Sequence, residues 1–460
     1  MAESAARERL PPQIWYIAAN EAAERFSYYG MSSILTLHMV NRLGLSESAA
    51  ERNFHVFGFA LYLAPLLGAW IADRFWGRYR TILWISFAYV AGHATIAAWE
   101  SAAGLYAGLA LLAVGAGGIK PCASAFAGDQ IPPGDDRRVA KVYDLYYAAI
   151  NVGSLASTLL IPFLNARLGP RVAFGVPGVA MALALAVFWT GRRHYRRVPP
   201  SGPSTHGFFR VIATALGRPG ARPRGGHWLD AARGRHPEEA IAGARAVLRI
   251  VAIFAPVIVF WALFFQYAST WTVQAEAMDR AVLGTVIPAE WPQNLDAAFV
   301  LLLIWLFVSF VFPALERRGV RITPLRKMTV GMFVAVLSFA AAALVQAALD
   351  AGGHPHVAWQ VPQYLFLSVG EVLVSVTALE FAYTQAPARM KSAIMGLWYV
   401  TIAAGSLLTA LVAWLNRFQG VAYFGFFAAL MLGAAFAFAL VARRYRRVQA
   451  APQPEPATGV

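Results

Sequence analysis

The sequence predicts an all-α polytopic membrane protein with twelve transmembrane helices in two six-helix bundles and no extra helix pair between them. Three observations lead there. Hydrophobic residues fill 58% of the 460 positions and charged residues only 14%, a balance that excludes soluble, disordered and disulfide-rich secreted classes. Apolar runs of about 20 residues, the length that crosses a bilayer, recur almost to the C-terminus. The basic residues behind the net charge of +15 fall between those runs on alternate sides, which makes them topological markers rather than a nucleic-acid footprint. The single cysteine, Cys122, permits neither an intrachain disulfide nor a Cys-based metal cluster.

In chain order the runs are 13–37, 52–72, 80–100, 104–127, 141–165, 171–191, 248–271, 294–315, 327–349, 357–383, 392–416 and 420–442. Backbone groups cannot bond to lipid, so each run must be helical. Glu21, Glu24 and Arg25 interrupt the first, which is therefore kept as a helix rather than a cleavable signal. Of the 39 Lys and Arg residues, 31 lie on one side, six on the other, and Arg25 and Lys120 within spans. Cytoplasmic loops retain positive charge, so both termini are predicted to be cytoplasmic. The division is then an N-terminus at 1–12, a first bundle at 13–191, a cytoplasmic linker at 192–247, a second bundle at 248–442 and a disordered tail at 443–460. The Gly-, Pro- and Arg-rich linker reads as solvated, although Phe208 to Leu216 is amphipathic enough to lie on a membrane surface.

Ionisable groups at membrane depth cost roughly 2.5–3.5 kcal/mol each on insertion scales, so those present need a reason. In the first helix Glu21, Glu24, Arg25, Tyr28 and Ser32 share one face. Two acids and one base leave that face net negative, which suits a proton carrier; the competing reading is a self-paired polar seam between helices. In the fourth, Gly115, Gly117 and Gly118 permit close packing, and a phosphate-loop reading fails because no strand precedes them. Lys120 is a buried cation there, and its expected partner is Glu371 of the tenth helix, about 18 Å along that span and so near midplane, in a pair that holds one access state and breaks in the other. Glu380, nine residues on, faces away, and a structural role is at least as good a reading. His55 near the outer end of the second helix suits either proton entry or simple packing, and His93 is structural. Tyr146, Tyr147, Asn151, Ser154, Trp398 and Tyr399 either line a cavity or pack.

At these residues the chain resembles the proton-dependent oligopeptide transporter family of the major facilitator superfamily. The resemblance rests on EAAERFSYYG, PLLGAWIADRFWGRYR, GAGGIKPCASAFAGDQ, YYAAINVGSL, FWALF, TPLRKMTVGMF, WQVPQYLFLSVGEVLVSVTALEFAYTQAP and MKSAIMGLWYVT, spread over most of the chain. It implies the major facilitator fold and a set of roles. Glu21, Glu24 and Arg25 would couple proton and peptide; Arg25 and Lys120 would hold the peptide carboxylate; Glu371 and Asn151 the amine. Tyr29, Tyr62, Ser375 and Trp398 would line side-chain pockets, His55 would be proton-linked, and Asp73 and Arg74 belong to a cytoplasmic gating motif.

Three positions depart from the family pattern. Ser32 and Phe265 stand where an extracellular arginine and acid usually pair. Losing both together avoids the roughly 3–5 kcal/mol cost of stranding one buried charge, and predicts an outer gate that closes by packing around Phe265. Asp296 is an added acid at the start of the eighth helix, either strengthening amine binding beside Glu371 or serving as an ordinary outer-loop carboxylate.

The function implied is proton-coupled symport of di- and tripeptides into the cell by alternating access, in the bacterial inner membrane. The alternative is a proton-coupled carrier of another small solute, a nitrate-like anion or an amino-acid derivative, on the same fold. Protons are the coupling ion, and no further cofactor or metal is expected. The expected partners are peptides, protons and the lipid bilayer, with no nucleic acid, and the chain is expected to function as a monomer. A membrane enzyme is disfavoured because no nucleophile and base pair or metal-ligand spacing stands out.

Overall fold

The structure is a computed structural model that describes residues 10–445 apart from 133–134, 201, 203–204, 222, 224–225 and 386–389. The expectations for residues 1–9 and 446–460 therefore lie outside the described residues. The chain is almost wholly helical. Its first part contains α1 (Gln13–Asn41), α2 (Glu47–Ile71), α3 (Gly77–Ala98), α4 (Ala102–Asp129), α5 (Asp136–Leu168) and α6 (Pro170–Thr190). After α7 (Phe208–Leu216) come α8 (Glu238–Phe254), α9 (Val257–Phe264), α10 (Thr270–Glu276), α11 (Asn294–Leu306), α12 (Phe312–Arg317) and α13 (Pro324–Asp350). The last helices are α14 (Val361–Glu371), α15 (Thr377–Gln385), α16 (Lys391–Leu415) and α17 (Gly420–Arg444).

Among the described residues nine helical segments are long and apolar enough to cross a membrane, or ten with a bent pair counted as one. The difference from twelve has two physical causes. The charged residues of α1 lower its apolarity, and α2 and α3 form one 52-residue run through a π-helical segment at Ala72–Trp76. At 1.5 Å per residue that run is about 78 Å long, more than twice the hydrocarbon thickness. The chain turns within it at Gly77, whose φ of +71° suits a residue without Cβ.

The predicted 248–271 helix is discontinuous. It starts at Glu238, ten residues earlier than expected, and Pro256, which cannot donate a helix hydrogen bond, separates α8 from α9 at a bend of 47°. A 3-10 turn at Phe265–Ala268 then leads into α10. Two further π segments interrupt the C-terminal part, Phe307–Val311 after α11 and Val372–Val376 directly after Glu371.

The linker also departs from expectation. The apolar side of α7 is buried, but against protein: Phe208, Val211 and Ala215 join Leu229, Ile241 and Ala244 in the C-terminal hydrophobic cluster. The linker is thus partly a packed layer at one end of the molecule. The predicted tail start at 443 also moves, because α17 continues through Arg444.

Two hydrophobic clusters organise the interior. One is built from residues between Ile14 and Tyr195 with Ala268, the other from residues between Phe208 and Phe438. Tyr62, Phe265 and Tyr267 pack against both. Glycine allows the tightest contact: a Cβ on Gly68 of α2 would lie 1.8 Å from the Gly117 carbonyl oxygen of α4, so the two backbones approach as the GAGG run suggests.

Candidate functional site

The charged face of α1 meets α4 and α5 in the interior. Glu21 and Glu24 are fully buried, and Arg25 Nε lies 2.8 Å from Glu21 Oε1 and 2.9 Å from Glu24 Oε2. Tyr146 of α5 donates to the other Glu21 oxygen at 2.5 Å. Lys120 of α4 lies 3.7 Å from Glu24 Oε1, with its Nζ over the rings of Tyr28 and Tyr62 at 4.7 and 5.8 Å. In this conformation Lys120 is paired with Glu24 in its own half, and the pair across to Glu371 is not made. One expectation is corrected here: with Lys120 the cluster holds two acids and two bases, so it is balanced instead of net negative. The helical period placed the α1 side chains on one face correctly, but no spacing along the chain reveals which neighbour α4 presents to them.

Across the interior, Asp296 and Glu371 form a second cluster. Asp296, in the first turn of α11, is buried; its carboxylate accepts from Ser368 Oγ at 2.6 Å and lies beside the Glu371 carboxyl. Two buried carboxyl groups side by side repel each other when both are charged, so a proton or a cation between them is favourable. Of the two readings of Asp296, the outer-loop one is therefore overturned, because the residue faces inward onto α14. Tyr29 lies within electrostatic reach of Arg25 on one side and of Glu371 and Asp296 on the other, and Tyr267 is close to the same two acids.

The remaining expected residues separate. Asn151 donates to the Tyr147 carbonyl of its own helix at 2.8 Å. Ser375 is half-buried in the π segment after Glu371. Trp398 is buried, tilted against Phe254 and edge-on to Trp261 with ring centroids 5.1 and 5.6 Å away, so it packs in the C-terminal core in this conformation. Asp73 and Arg74 are exposed; the Asp73 carbonyl accepts from Gly202 of the linker at 3.1 Å.

At the end of the molecule away from the linker, contacts join the two parts of the chain. His55 is fully buried, its Nε2 3.2 Å from Ser269 Oγ, so it lies beneath a closed surface and not at an open mouth. The Tyr62 and Phe265 rings pack at a tilt with centroids 5.3 Å apart, and Ser32 and Phe265 face one void of about 10 Å³, room for about one water. Asn41 donates to Glu276 at 2.7 Å and Thr158 to Asn294 at 2.5 Å. Glu51 of α2 is buried and accepts from the Tyr423 hydroxyl of α17, whose oxygen also lies 2.9 Å from Gln266 Oε1. Glu51 was missed because its span was read from residue 52; Ser46, whose side chain caps the helix by accepting from the Ala49 N–H, was the available signal. A second missed pair sits at the linker end, where Arg78 donates to Asp129 at 2.6 Å.

The family model described as "PTR2: POT family" matches residues 79–453. The chain belongs to the POT family. POT proteins are transporters rather than enzymes, as the resemblance implied. The chain is 37% identical over 388 residues to solute carrier family 15 member 2 of Rattus norvegicus, covering 80% of this chain and 53% of that one. It is 39% identical over 348 residues to peptide transporter family 1 of Drosophila melanogaster, covering 72% and 47%. It thus spans about half the length of these curated relatives. Among solved structures, it is similar to an auto-inhibited POT family peptide transporter with a TM-score of 0.89 and 38% identity, covering 96% of this chain and 99% of that one. It is also similar to the POT family transporter PepTSo, with a TM-score of 0.87 and 38% identity, covering 95% and 98%.

Proposed function

We propose that this POT-family chain is a proton-coupled symporter that imports di- and tripeptides by alternating access. In this reading it has twelve spans in two six-helix bundles, cytoplasmic termini and linker, and works as a monomer in the plasma membrane. The observation that carries the reading is the opposition of the two clusters, with the cations Arg25 and Lys120 in one part and the carboxyls Asp296 and Glu371 in the other. A peptide zwitterion has the complementary pattern, and recognition through its ends leaves the side chains free to vary. Tyr29 has charged groups of both regions within reach, and Tyr267 lies close to the two acids.

The same geometry couples the proton. The peptide carboxylate competes with Glu21 and Glu24 for Arg25 and Lys120, so a carboxylate displaced from its cation is free to take up a proton. The peptide amine takes the place of a proton at the paired carboxyls of Asp296 and Glu371. The proton gradient then contributes about 2.3 kcal/mol per charge per 100 mV of membrane potential. In this scheme the contacts around Phe265, His55 and Glu51 seal the extracellular side.

Purified protein in liposomes, loaded at neutral pH and diluted into acid buffer, should accumulate labelled dialanine above its external concentration, with uptake abolished by a protonophore. Absence of dipeptide uptake under any gradient overturns the proposal. Gradient-driven uptake of a small anion or amino-acid derivative in its place would favour the alternative cargo.

A further inference from the structure

A groove of about 1130 Å³ opens on the surface at the linker end of the C-terminal part. One wall is the π segment Phe307–Val311 with α12, the opposite wall is α17 through Phe436 and Leu440, and Val369 and Leu373 of α14 and its π segment contribute to the lining. α13 brings Val330 and Phe333 into it. The π segment and α12 contain no buried residue, so this side of the span faces the surroundings of the protein, which at this depth are lipid.

The mouth of the groove is different in kind. Arg321, Arg326, Lys327 and Arg443 line it, and among the described residues no carboxylate does. Arg326 is held in place by donating to the Arg321 carbonyl at 2.8 Å, and Lys327 Nζ lies 5.2 Å from the Phe312 ring centroid. None of the four forms an ion pair among the described residues. The 27-residue α13 begins here at Pro324, adding the positive end of its dipole to the same place.

Basic residues at a helix end mark topology and by themselves specify no ligand. Here they terminate an apolar trough that runs into the bilayer, a pairing that matches a molecule with an anionic head and hydrocarbon tails. We propose that this groove binds an anionic phospholipid of the leaflet at the linker end. The headgroup phosphate meets Arg321, Arg326, Lys327 and Arg443, and an acyl chain lies between Phe307 and Phe436. Basic pockets between spans select such headgroups electrostatically. Because Val369 and Leu373 flank Glu371 along the chain, the bound lipid also braces the π segment that follows it.

The test uses the delipidated full-length protein in neutral detergent, titrated with phosphatidylglycerol, phosphatidylcholine or inorganic phosphate and followed by native mass spectrometry and thermal unfolding. Phosphatidylglycerol should bind in a saturable one-to-one complex and raise Tm; phosphatidylcholine and phosphate should do neither. The triple variant R321Q/R326Q/R443Q should bind phosphatidylglycerol about 100-fold more weakly, each basic group contributing roughly a factor of five. Val330→Trp, which keeps every charge and fills the trough, should also weaken it. Equal binding of the two lipids, a phosphate effect matching that of phosphatidylglycerol, or full phosphatidylglycerol binding by the folded triple variant would overturn the proposal. Should the variants misfold, the comparison of the two lipids and phosphate on the parent protein decides.

Discussion

The two halves of the interior hold charge in opposite ways. In the N-terminal part, Glu21, Arg25, Glu24 and Lys120 form a balanced set in which every charge has an opposite neighbour within 4 Å. In the C-terminal part, the carboxyls of Asp296 and Glu371 lie side by side, and Ser368 donates to Asp296. The first arrangement satisfies itself and yields only to a competitor of similar charge. The second is incomplete without a proton or a cation. A carrier for a zwitterion and a proton needs both kinds: one site that a carboxylate can enter by exchange, and one that an amine and a proton can occupy in turn.

The sharpest way to break this comparison is to remove one acid from each cluster. Glu24→Gln leaves Lys120 and Arg25 buried with Glu21 as their single counter-charge, and should cost about 3–5 kcal/mol, read as a fall in Tm of several degrees together with loss of uptake. Glu371→Gln strands no charge, so its Tm should stay within about a degree of the parent. It should nevertheless lose accumulation driven by a pH gradient while keeping downhill peptide exchange. If Glu371→Gln destabilises as much as Glu24→Gln, the clusters do not differ in kind.

A third buried carboxyl extends the contrast beyond the spans. Glu290, just before α11, is pushed up to about 7, chiefly by burial and then by nearby Glu276, with Arg280 opposing. A raised carboxyl pKa means that the folded state binds its proton more tightly than the unfolded chain does. Its contribution is therefore fully present below the ordinary carboxyl range near 4.5 and is lost as pH rises towards 7. The loss is at most about 3 kcal/mol, and Tm measured at pH 5 and pH 8 should differ less in Glu290→Gln than in the parent. An unchanged pH dependence would remove Glu290 from the comparison.

What could be read before the fold was known follows the same division. The α1 face was legible because helical periodicity alone aligns Glu21, Glu24 and Arg25, and the glycines of α4 were legible because close backbone packing demands them. The partner of Lys120 was not legible, because the choice between Glu24 and Glu371 depends on how α1, α4 and α14 pack. Asp296 stayed ambiguous for the same reason, since a helix-start acid can point either way. The break at Pro256 was visible in composition but was absorbed into a continuous apolar run. Glu51 fell outside a span drawn by hydropathy, although its buried bond to Tyr423 ties α2 to α17.

That bond offers a smaller test of how the two parts are held together. Tyr423→Phe leaves the buried Glu51 carboxylate without its hydroxyl donor, a cost of about 1–3 kcal/mol charged only to the closed state. In the proposed orientation it should favour opening away from the linker, seen as faster labelling of a cysteine placed at Ser269 in a Cys122→Ala background. Labelling at the parent rate would mean that the other contacts at this end, among them packing around Phe265, hold it closed without this bond.

The mildest effect is expected at Asp296, where the acid is not needed to balance any cation. Asp296→Asn keeps the shape of the side chain and an acceptor for Ser368, but it removes one of the two acidic groups available to an amine. Dialanine should bind about 10-fold more weakly, close to 1.4 kcal/mol, whereas N-acetyl-dialanine, which has no charged amine, should bind the variant and the parent alike. Loss of affinity for both ligands would make Asp296 a positioning group for α14, and no loss for either would leave Glu371 as the sole amine partner. Only the selective loss fits a C-terminal cluster that is incomplete without a cation.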